Sequence, residues 1–330
     1  MAAHAAISET DRARPRRLDM TLLERRPAGR DFAWLTLEAP PDWHSLPGQF
    51  INVRCGDSPV SAAASDGRPL DWDHGWPRAA GLELAHTSPV VRRPLSVARL
   101  ERAGGGVRLG VLVRAVGPGT RALCATPAGT GLDVVGPLGN HFTAPRDDRV
   151  CVVVGGGCGV APIFGLADVL ADAGGETLCF FGTATVEDMP VTFRREPKAT
   201  RRAVEATDVV EEFARAGVPV VLATDDGSAG HRGPVTAALK CWLRDAWDGR
   251  PLALYGCGPQ PMLRALAGLA AEHDLPCQVS LERWMGCGVG VCQSCAYKRR
   301  DPASATGWTY GLTCRDGPVV EARDLVWDEA

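Results

Sequence analysis

The segment Cys287-Gly288-Val289-Gly290-Val291-Cys292-Gln293-Ser294-Cys295, with Cys314 further on, decides how the rest of the chain is read. Its spacing is C-x4-C-x2-C followed by a distant fourth cysteine, the ligand pattern of a [2Fe–2S] cluster held by four thiolates. Gly288 and Gly290 can take backbone angles closed to other residues, so the loop can wrap a cluster and aim N–H groups at its sulfurs. A structural zinc site shows two short-spaced pairs instead. A disulfide framework needs an oxidising compartment, and nothing in the chain points to one. Cys287, Cys292, Cys295 and Cys314 are therefore the expected metal ligands.

Upstream of the cysteines, strands and helices alternate. Val150-Cys151-Val152-Val153-Val154 is a continuous apolar run, as a strand buried on both faces requires. A helix over 161–173 and a strand over Leu178–Phe181 follow. Val218–Ala223, Pro234–Trp247, Leu252–Tyr255, Pro261–His273 and Cys277–Leu281 continue the series, which predicts a parallel sheet with crossover helices. The first strand runs into Gly155-Gly156-Gly157-Cys158-Gly159-Val160-Ala161-Pro162. This is not a full G-x-G-x-x-G, but a glycine turn that opens a helix at the carboxyl end of a parallel strand suits a pyrophosphate. Gly156, Gly157 and Gly159 are the expected contacts. Tyr255-Gly256-Cys257-Gly258-Pro259-Gln260-Pro261 ends another strand and sets Cys257, Gly258 and Pro259 at the same sheet edge.

The N-terminal part has a different grammar. Short strands at Phe32–Leu37, Gln49–Val53, Arg92–Arg99, Val107–Val116 and Leu132–Val135, parted by Gly and Pro, predict an antiparallel β-barrel or sandwich. Gly117-Pro118-Gly119-Thr120 and Gly136-Pro137-Leu138-Gly139-Asn140 read as turns. Residues 1–17, rich in Arg and aperiodic, read as a disordered arm. Residues of about 54–91 read as a solvated insertion, with Trp72 and Trp76 leaving a partner contact open.

Composition excludes several classes. Lys and Arg number 36 against 39 Asp and Glu, a net charge of −3, and the basic residues are scattered, so nothing calls for nucleic acid or an anionic membrane. The uncharged run Val150–Ala167 contains Gly155, Gly156, Gly157, Gly159 and Pro162 and reads as strand, turn and helix start rather than a membrane span. No secretory signal opens the chain. Most of the 12 cysteines sit among apolar neighbours, as reduced thiols of a cytoplasmic protein do.

Taken in order, Arg93-Pro94-Leu95-Ser96, Gly117-x-Gly119-Thr120, the Gly136–Asn140 turn, the Gly155–Pro162 loop, Thr224-Asp225-Asp226-Gly227-Ser228, Cys257-Gly258-Pro259 and the cysteine loop follow the pattern of the ferredoxin reductase-like flavoproteins. Over about residues 18–330 the chain resembles, within that family, the electron-transfer subunits of NAD-linked (class 1B) dihydroorotate dehydrogenase. The cysteine loop, with Val279-Ser280-Leu281-Glu282 before it, is the specific part. The resemblance implies an FAD-binding β-barrel over 18–145, an NAD-binding α/β domain over 146–280 and a [2Fe–2S] module over 281–330. It implies Arg93 paired with the FAD diphosphate, where a guanidinium fork suits phosphate oxygens. Pro94, Leu95 and Ser96 would lie along the flavin, with Leu112, Val113 and Arg114 on the adjacent strand. Gly119 and Thr120 would turn backbone N–H groups to the diphosphate.

The same resemblance implies no general acid or base of the chain's own, and NAD(H) as a diffusible co-substrate. It implies a partner, an FMN-containing catalytic dihydroorotate dehydrogenase subunit, in a heterotetramer serving pyrimidine biosynthesis. Electrons from dihydroorotate would pass through the partner's flavin, the cluster and FAD to NAD. Two other readings keep the same residues: the reductase subunit of a hydrogenase or ferredoxin-NADP transhydrogenase, and a non-enzymatic iron–sulfur redox sensor. The chain departs from the family pattern in its N-terminal arm, the insertion, Cys158 and a longer stretch between Cys295 and Cys314. After the strand Leu178–Phe181 come Thr183, Thr185, Glu187 and Asp188, with Arg194 and Arg195 beyond; the acidic pair would repel a 2′-phosphate and favours NAD over NADP.

Overall fold

Alternating side chains close the N-terminal strands around an apolar interior. The computed structural model describes residues 14–55, 91–103, 105–145, 147–200 and 204–327. Strands β1 (Arg16–Ala28), β2 (Phe32–Ala39), β3 (Phe50–Val53), β4 (Arg93–Ala103), β5 (Gly106–Arg114) and β6 (Gly131–Leu138) form a closed antiparallel barrel in the order β1-β2-β5-β4-β3-β6. Ala33, Leu35 and Leu37, then Ile51 and Val53, then Val111 and Val113 point inward at the two-residue period of a strand. A helix, α1 (Pro118–Ala125), follows β5 and plugs the barrel with Leu123.

Two expectations are corrected here. The arm of residues 1–17 ends earlier: β1 starts at Arg16, because β6 runs on to supply ladder partners as far as Gly136. Asp42 and Asp133 then satisfy the Arg16 and Arg17 guanidinium groups. Gly117-Pro118-Gly119-Thr120 is a helix start rather than a plain turn. Pro118 fits the first turn, where its missing N–H costs nothing, and the Thr120 hydroxyl accepts from Gly117 N–H at 3.1 Å. The expectations for residues 1–13 and 56–90 lie outside the described residues.

The second half is a doubly covered sheet. After β7 (Val150–Gly156), α2 (Val160–Asp172) and β8 (Thr177–Thr183) come β9 (Ala199–Thr200), α3 (Glu211–Ala214), β10 (Val220–Thr224), β11 (Gly230–Arg232), α4 (Val235–Asp245), β12 (Leu252–Cys257), α5 (Gln260–Glu272) and β13 (Cys277–Ser280). The cysteine loop leads into β14 (Ala296–Arg300) and β15 (Trp308–Leu312), a separate hairpin, then α6 (Thr313–Asp316) and β16 (Val319–Glu321). The sheet order is β16-β13-β12-β7-β8-β10-β11-β9, and β16 alone runs antiparallel. Val150, Val152 and Val154 face α4 and α5, while Cys151 and Val153 face α2. Every residue of β7 is therefore buried, which explains its unbroken apolar sequence. No helix among the described residues is long and apolar enough to cross a membrane.

Barrel and sheet are joined by polar contacts of directed geometry. Arg99 on β4 donates to both carboxylate oxygens of Asp168 on α2, at 2.9 and 3.1 Å, and to the Glu212 carbonyl at 2.9 Å. At the end of β6 the Asn140 amide pairs with Val319 as a strand would: Nδ2 donates to the carbonyl at 2.7 Å and Oδ1 accepts from the N–H at 2.8 Å. Asn140→Ala strands both backbone groups of Val319 and should lower unfolding free energy by about 1–3 kcal/mol, read by urea denaturation.

Candidate functional site

The cysteines are brought together by local backbone and by one hairpin. Cys295 immediately precedes β14 and Cys314 follows β15, and the ladder pairs Ala296 with Leu312. The register returns the distal cysteine to the loop whatever the length of the hairpin turn, so the longer stretch between them leaves the site intact. Thr313, fully buried, adds its N–H and hydroxyl to the Cys295 carbonyl at 3.0 and 2.9 Å. The Sγ atoms of Cys295 and Cys314 lie 3.3 Å apart. Cys287 and Cys292 form a second interacting pair.

Backbone N–H groups converge on the sulfurs. Val289, Val291 and Cys292 donate to Cys287 Sγ at 3.4, 3.3 and 3.4 Å, and Gly290 donates to Cys314 Sγ at 3.1 Å. Burial works to raise the Cys287 thiol, but these donors hold it below its ordinary value. The Ser294 hydroxyl and backbone bring Cys292 down to about 6. Cys314 is pushed the other way, to about 12, chiefly by burial; a coordinated iron deprotonates such a thiol outright. Among the described residues no three His, Cys, Asp or Glu side chains close around a point that one ion could fill. Cys295 with Cys314, and Cys287 with Cys292, are thus neighbouring thiols beneath a canopy of N–H donors.

The loop rests on the barrel. Asn52 Nδ2, on β3, donates to the Cys287 carbonyl at 2.9 Å. Gly288, at φ +72°, lies so close that a Cβ there would sit 2.0 Å from that amide nitrogen. Phe50, two residues earlier, packs with Leu138, Leu312, Cys295 and Cys314. Across the ladder Phe50 faces Ser96 and Asn52 faces Pro94. The Arg93–Ser96 motif thus stands one strand away from the residues that carry the cysteine loop. Leu95 and Val113 point into the barrel core, which leaves only their backbone for a flavin, whereas Pro94 and Ser96 are half-buried on the outer face. Leu112 faces outward toward α2, and the exposed Arg114 lies over the Phe32 ring.

Two distant motifs meet at the start of α1. A Cβ on Gly119 would stand 3.1 Å from Arg93 Nε, so the Arg93 guanidinium and the start of α1 make one cradle. The first N–H groups of a helix lack intrahelical partners and are ready for an anion. The Thr120 hydroxyl is taken by the N–H groups of Val116 and Gly117, leaving its backbone N–H for that role.

The glycine loops also meet each other. The Gly159 position admits no side chain, because a Cβ would fall 2.2 Å from the Cys257 carbonyl oxygen. Gly156 backs onto Gly258 and Pro259, and Gly157, at φ +53°, faces open space. Cys257 itself is buried and its thiol is driven well above its ordinary value, so it is no nucleophile. Glu282 faces the same cleft. Water reaches it, yet protein crowds it: burial raises its carboxyl, with Arg114 pulling the other way, and its charge is felt at Cys158 and Cys257. At the far end of the edge, Arg194 is held by Glu211 and Asp208, and Arg195 by Asp208. Asp226, after β10, accepts from Ser228 N–H and hydroxyl, and Ser228 Oγ accepts from Val186 N–H at 2.9 Å. A cavity of about 520 Å³ between Trp242, Trp247 and Pro219 lies at the opposite, amino edge of the sheet, away from all these motifs.

The sequence alone assigns no role to Asn52 or Glu282. Asn52 is one polar residue in a short strand, a pattern shared by any half-exposed strand. Glu282 stands in the specific stretch before the cysteines, but only the fold turns it into the cleft.

Residues 282–326 match the family described as the iron–sulfur cluster binding domain of dihydroorotate dehydrogenase B. The chain is 31% identical over 285 residues to a dihydroorotate dehydrogenase B (NAD+) electron transfer subunit of Desulforamulus reducens, covering 86% of this chain and 88% of that one. A subunit of the same description from Geobacillus kaustophilus is 39% identical over 248 residues, 73% of this chain and 82% of that one. A solved NADH-dependent reduced ferredoxin-NADP oxidoreductase shares the fold, with a TM-score of 0.66 at 23% identity over 93% of this chain and 90% of that one.

A carboxyl raised by crowding is disfavoured when ionised, but Glu282 is exposed and water offsets much of that cost. Glu282→Gln should therefore raise the melting temperature only slightly at about pH 7.5, with no gain by about pH 4, in thermal scans of both proteins.

Proposed function

This chain belongs to the family of dihydroorotate dehydrogenase B (NAD+) electron-transfer subunits, and we propose that it carries electrons between a catalytic partner, on which dihydroorotate is oxidised to orotate, and NAD. The observation that carries this reading is the shared face of β3 and β4: the Arg93-Pro94-Leu95-Ser96 motif and the support of the cysteine loop lie on neighbouring strands. Cys287 and Cys292 would hold one iron of a [2Fe–2S] cluster, and Cys295 and Cys314 the other. Arg93, with the backbone N–H groups of Gly119 and Thr120, would hold the FAD diphosphate, and Pro94 and Ser96 would line the ring. FAD supplies two-electron exchange with a nicotinamide and one-electron exchange with the cluster.

The chain's own residues bind and orient. Gly156, Gly157 and Gly159 open the start of α2 to a dinucleotide pyrophosphate, and Cys257, Gly258 and Pro259 wall the other side of the crevice. Asp226 brings negative charge to the far end, Glu187 and Asp188 are paired there with Arg30, and Glu211 and Asp208 engage Arg194 and Arg195, which supports NAD over NADP. Trp284, 91% exposed, and Val291, 78% exposed, surround the cysteine loop and offer the partner an apolar docking face. The resemblance implies an FMN-containing partner, and a flavin suits a one-electron relay because it can take single electrons. The heterotetramer and the cytoplasm are what the resemblance implies, and the free cysteines agree with a reducing compartment.

Reciprocal variants separate the two cofactor sites. Cys292→Ser should lose most of its iron and the reduced-state electron paramagnetic resonance signal while keeping FAD. Arg93→Ala should keep the cluster and purify flavin-depleted, because a buried phosphate loses a charge-assisted pair. The opposite pattern, or full FAD in Arg93→Ala, refutes the assignment. For function, the isolated chain should reduce an artificial acceptor with NADH, faster than with NADPH, and leave dihydroorotate untouched. Dihydroorotate-dependent NAD reduction should appear on adding the catalytic subunit; oxidation by the lone chain would overturn the subunit reading.

A further inference from the structure

Asn52 occupies an unusual position for a polar side chain. Strand alternation turns Ile51 and Val53 into the barrel and Phe50 and Asn52 outward onto the cysteine loop. Asn52 is only 2% exposed. Its Nδ2 is used by the Cys287 carbonyl, and its Oδ1 has no partner among the described residues. A buried amide satisfied on one side costs more than an apolar side chain of the same size, so packing alone does not account for it. Gly288 answers it from the other side, because any Cβ there would displace the amide nitrogen. The next strand carries Pro94 directly opposite, and cross-strand neighbours stand about 4.5–5.5 Å apart.

We propose that Asn52 is the positioning residue that sets the cysteine loop against the flavin-bearing face, fixing the distance and surroundings across which electrons pass. This rests on the function proposed above, and it adds a residue that touches neither iron nor substrate. Phe50 anchors the Cys295–Cys314 side by apolar contact. Asn52 anchors the Cys287 side through one directed bond, so between them β3 holds both thiol pairs. An amide dipole so near a cluster of negative charge also favours the reduced state, and its loss should lower the midpoint potential.

The test uses the full chain purified with both cofactors. Flavin and cluster bleaching by NADH are followed separately in stopped flow, with iron content, flavin content and the reduced-state paramagnetic resonance spectrum measured in parallel. Asn52→Asp keeps the shape and replaces the donor with a repelling oxygen. It should retain iron and FAD, bleach its flavin at the wild-type rate, slow cluster bleaching about tenfold and shift the cluster's resonance. Gly288→Ala should act in the same direction. In the double variant combining Asn52→Ala with Gly288→Ala the two losses should combine to less than their product, because the shorter side chain on β3 makes room for the new methyl group.

Wild-type cluster bleaching and an unshifted resonance in Asn52→Asp would overturn the proposal. So would equal slowing of flavin and cluster, which marks a general loss of structure, and so would fully multiplicative losses in the double variant. Should Asn52→Ala fail to fold, Asn52→Asp and Gly288→Ala decide. A wild-type protein lacking cluster or flavin would instead defeat the parent reading of function.

Discussion

The two-residue period of β3 is the constraint around which the molecule is arranged. Ile51 and Val53 must fill the barrel, and so Phe50 and Asn52 must face away from it. A slip of one residue would put an asparagine in the barrel and two aliphatic side chains against the cysteine loop. Because the face so defined adjoins Pro94 and Ser96 on β4, β3 also links the Arg93–Ser96 motif to the cysteine loop. A redox sensor would need only the cysteine loop. Here the arginine–glycine cradle and the two glycine loops are assembled as well, which favours the enzyme reading.

Around that face, close backbone approach matters more than charge. At the Gly159–Cys257 and Gly288–Asn52 contacts the glycine leaves no room for a side chain of its own. Most ion pairs lie at the surface, as with Arg244–Asp245 and Arg250–Glu176, where such pairs contribute little. The better-shielded Arg99–Asp168 pair is instructive: burial raises the Asp168 carboxyl even with Arg99 beside it. Desolvation outweighs attraction there, so the pair directs how α2 sits on β4 more than it stabilises the contact. Asn140 plays a comparable part with neutral groups, capping β16 from the end of β6.

Local signals carried far. The cysteine spacing, the glycine turn after an apolar strand and the alternation of the barrel strands are each set by a few neighbouring residues, and the fold follows them. Elements that depend on distant partners were harder to see. The helix α1 has only eight residues and opens with Gly-Pro-Gly, and it stands because Leu123 has a barrel to fill. The short strands β9 and β11 have two and three residues and exist through pairing with each other and with β10. The strand β16, beyond the cysteines, completes a sheet begun before them, with Pro318 and Val319 packed against the turn after β6.

The sequence by itself determined which chemistry the chain can support: four thiols at cluster spacing, an arginine and glycines suited to phosphate, and a parallel sheet with its loops at one edge. These are matters of residue type and short spacing, and a linear chain displays them directly. Only the tertiary structure decided which of them meet. It set Arg93 against Gly119, Gly159 against Cys257 and Asn52 beneath Cys287. Those contacts join residues far apart along the chain, and they arise from barrel closure and sheet register, which no local pattern of side chains encodes.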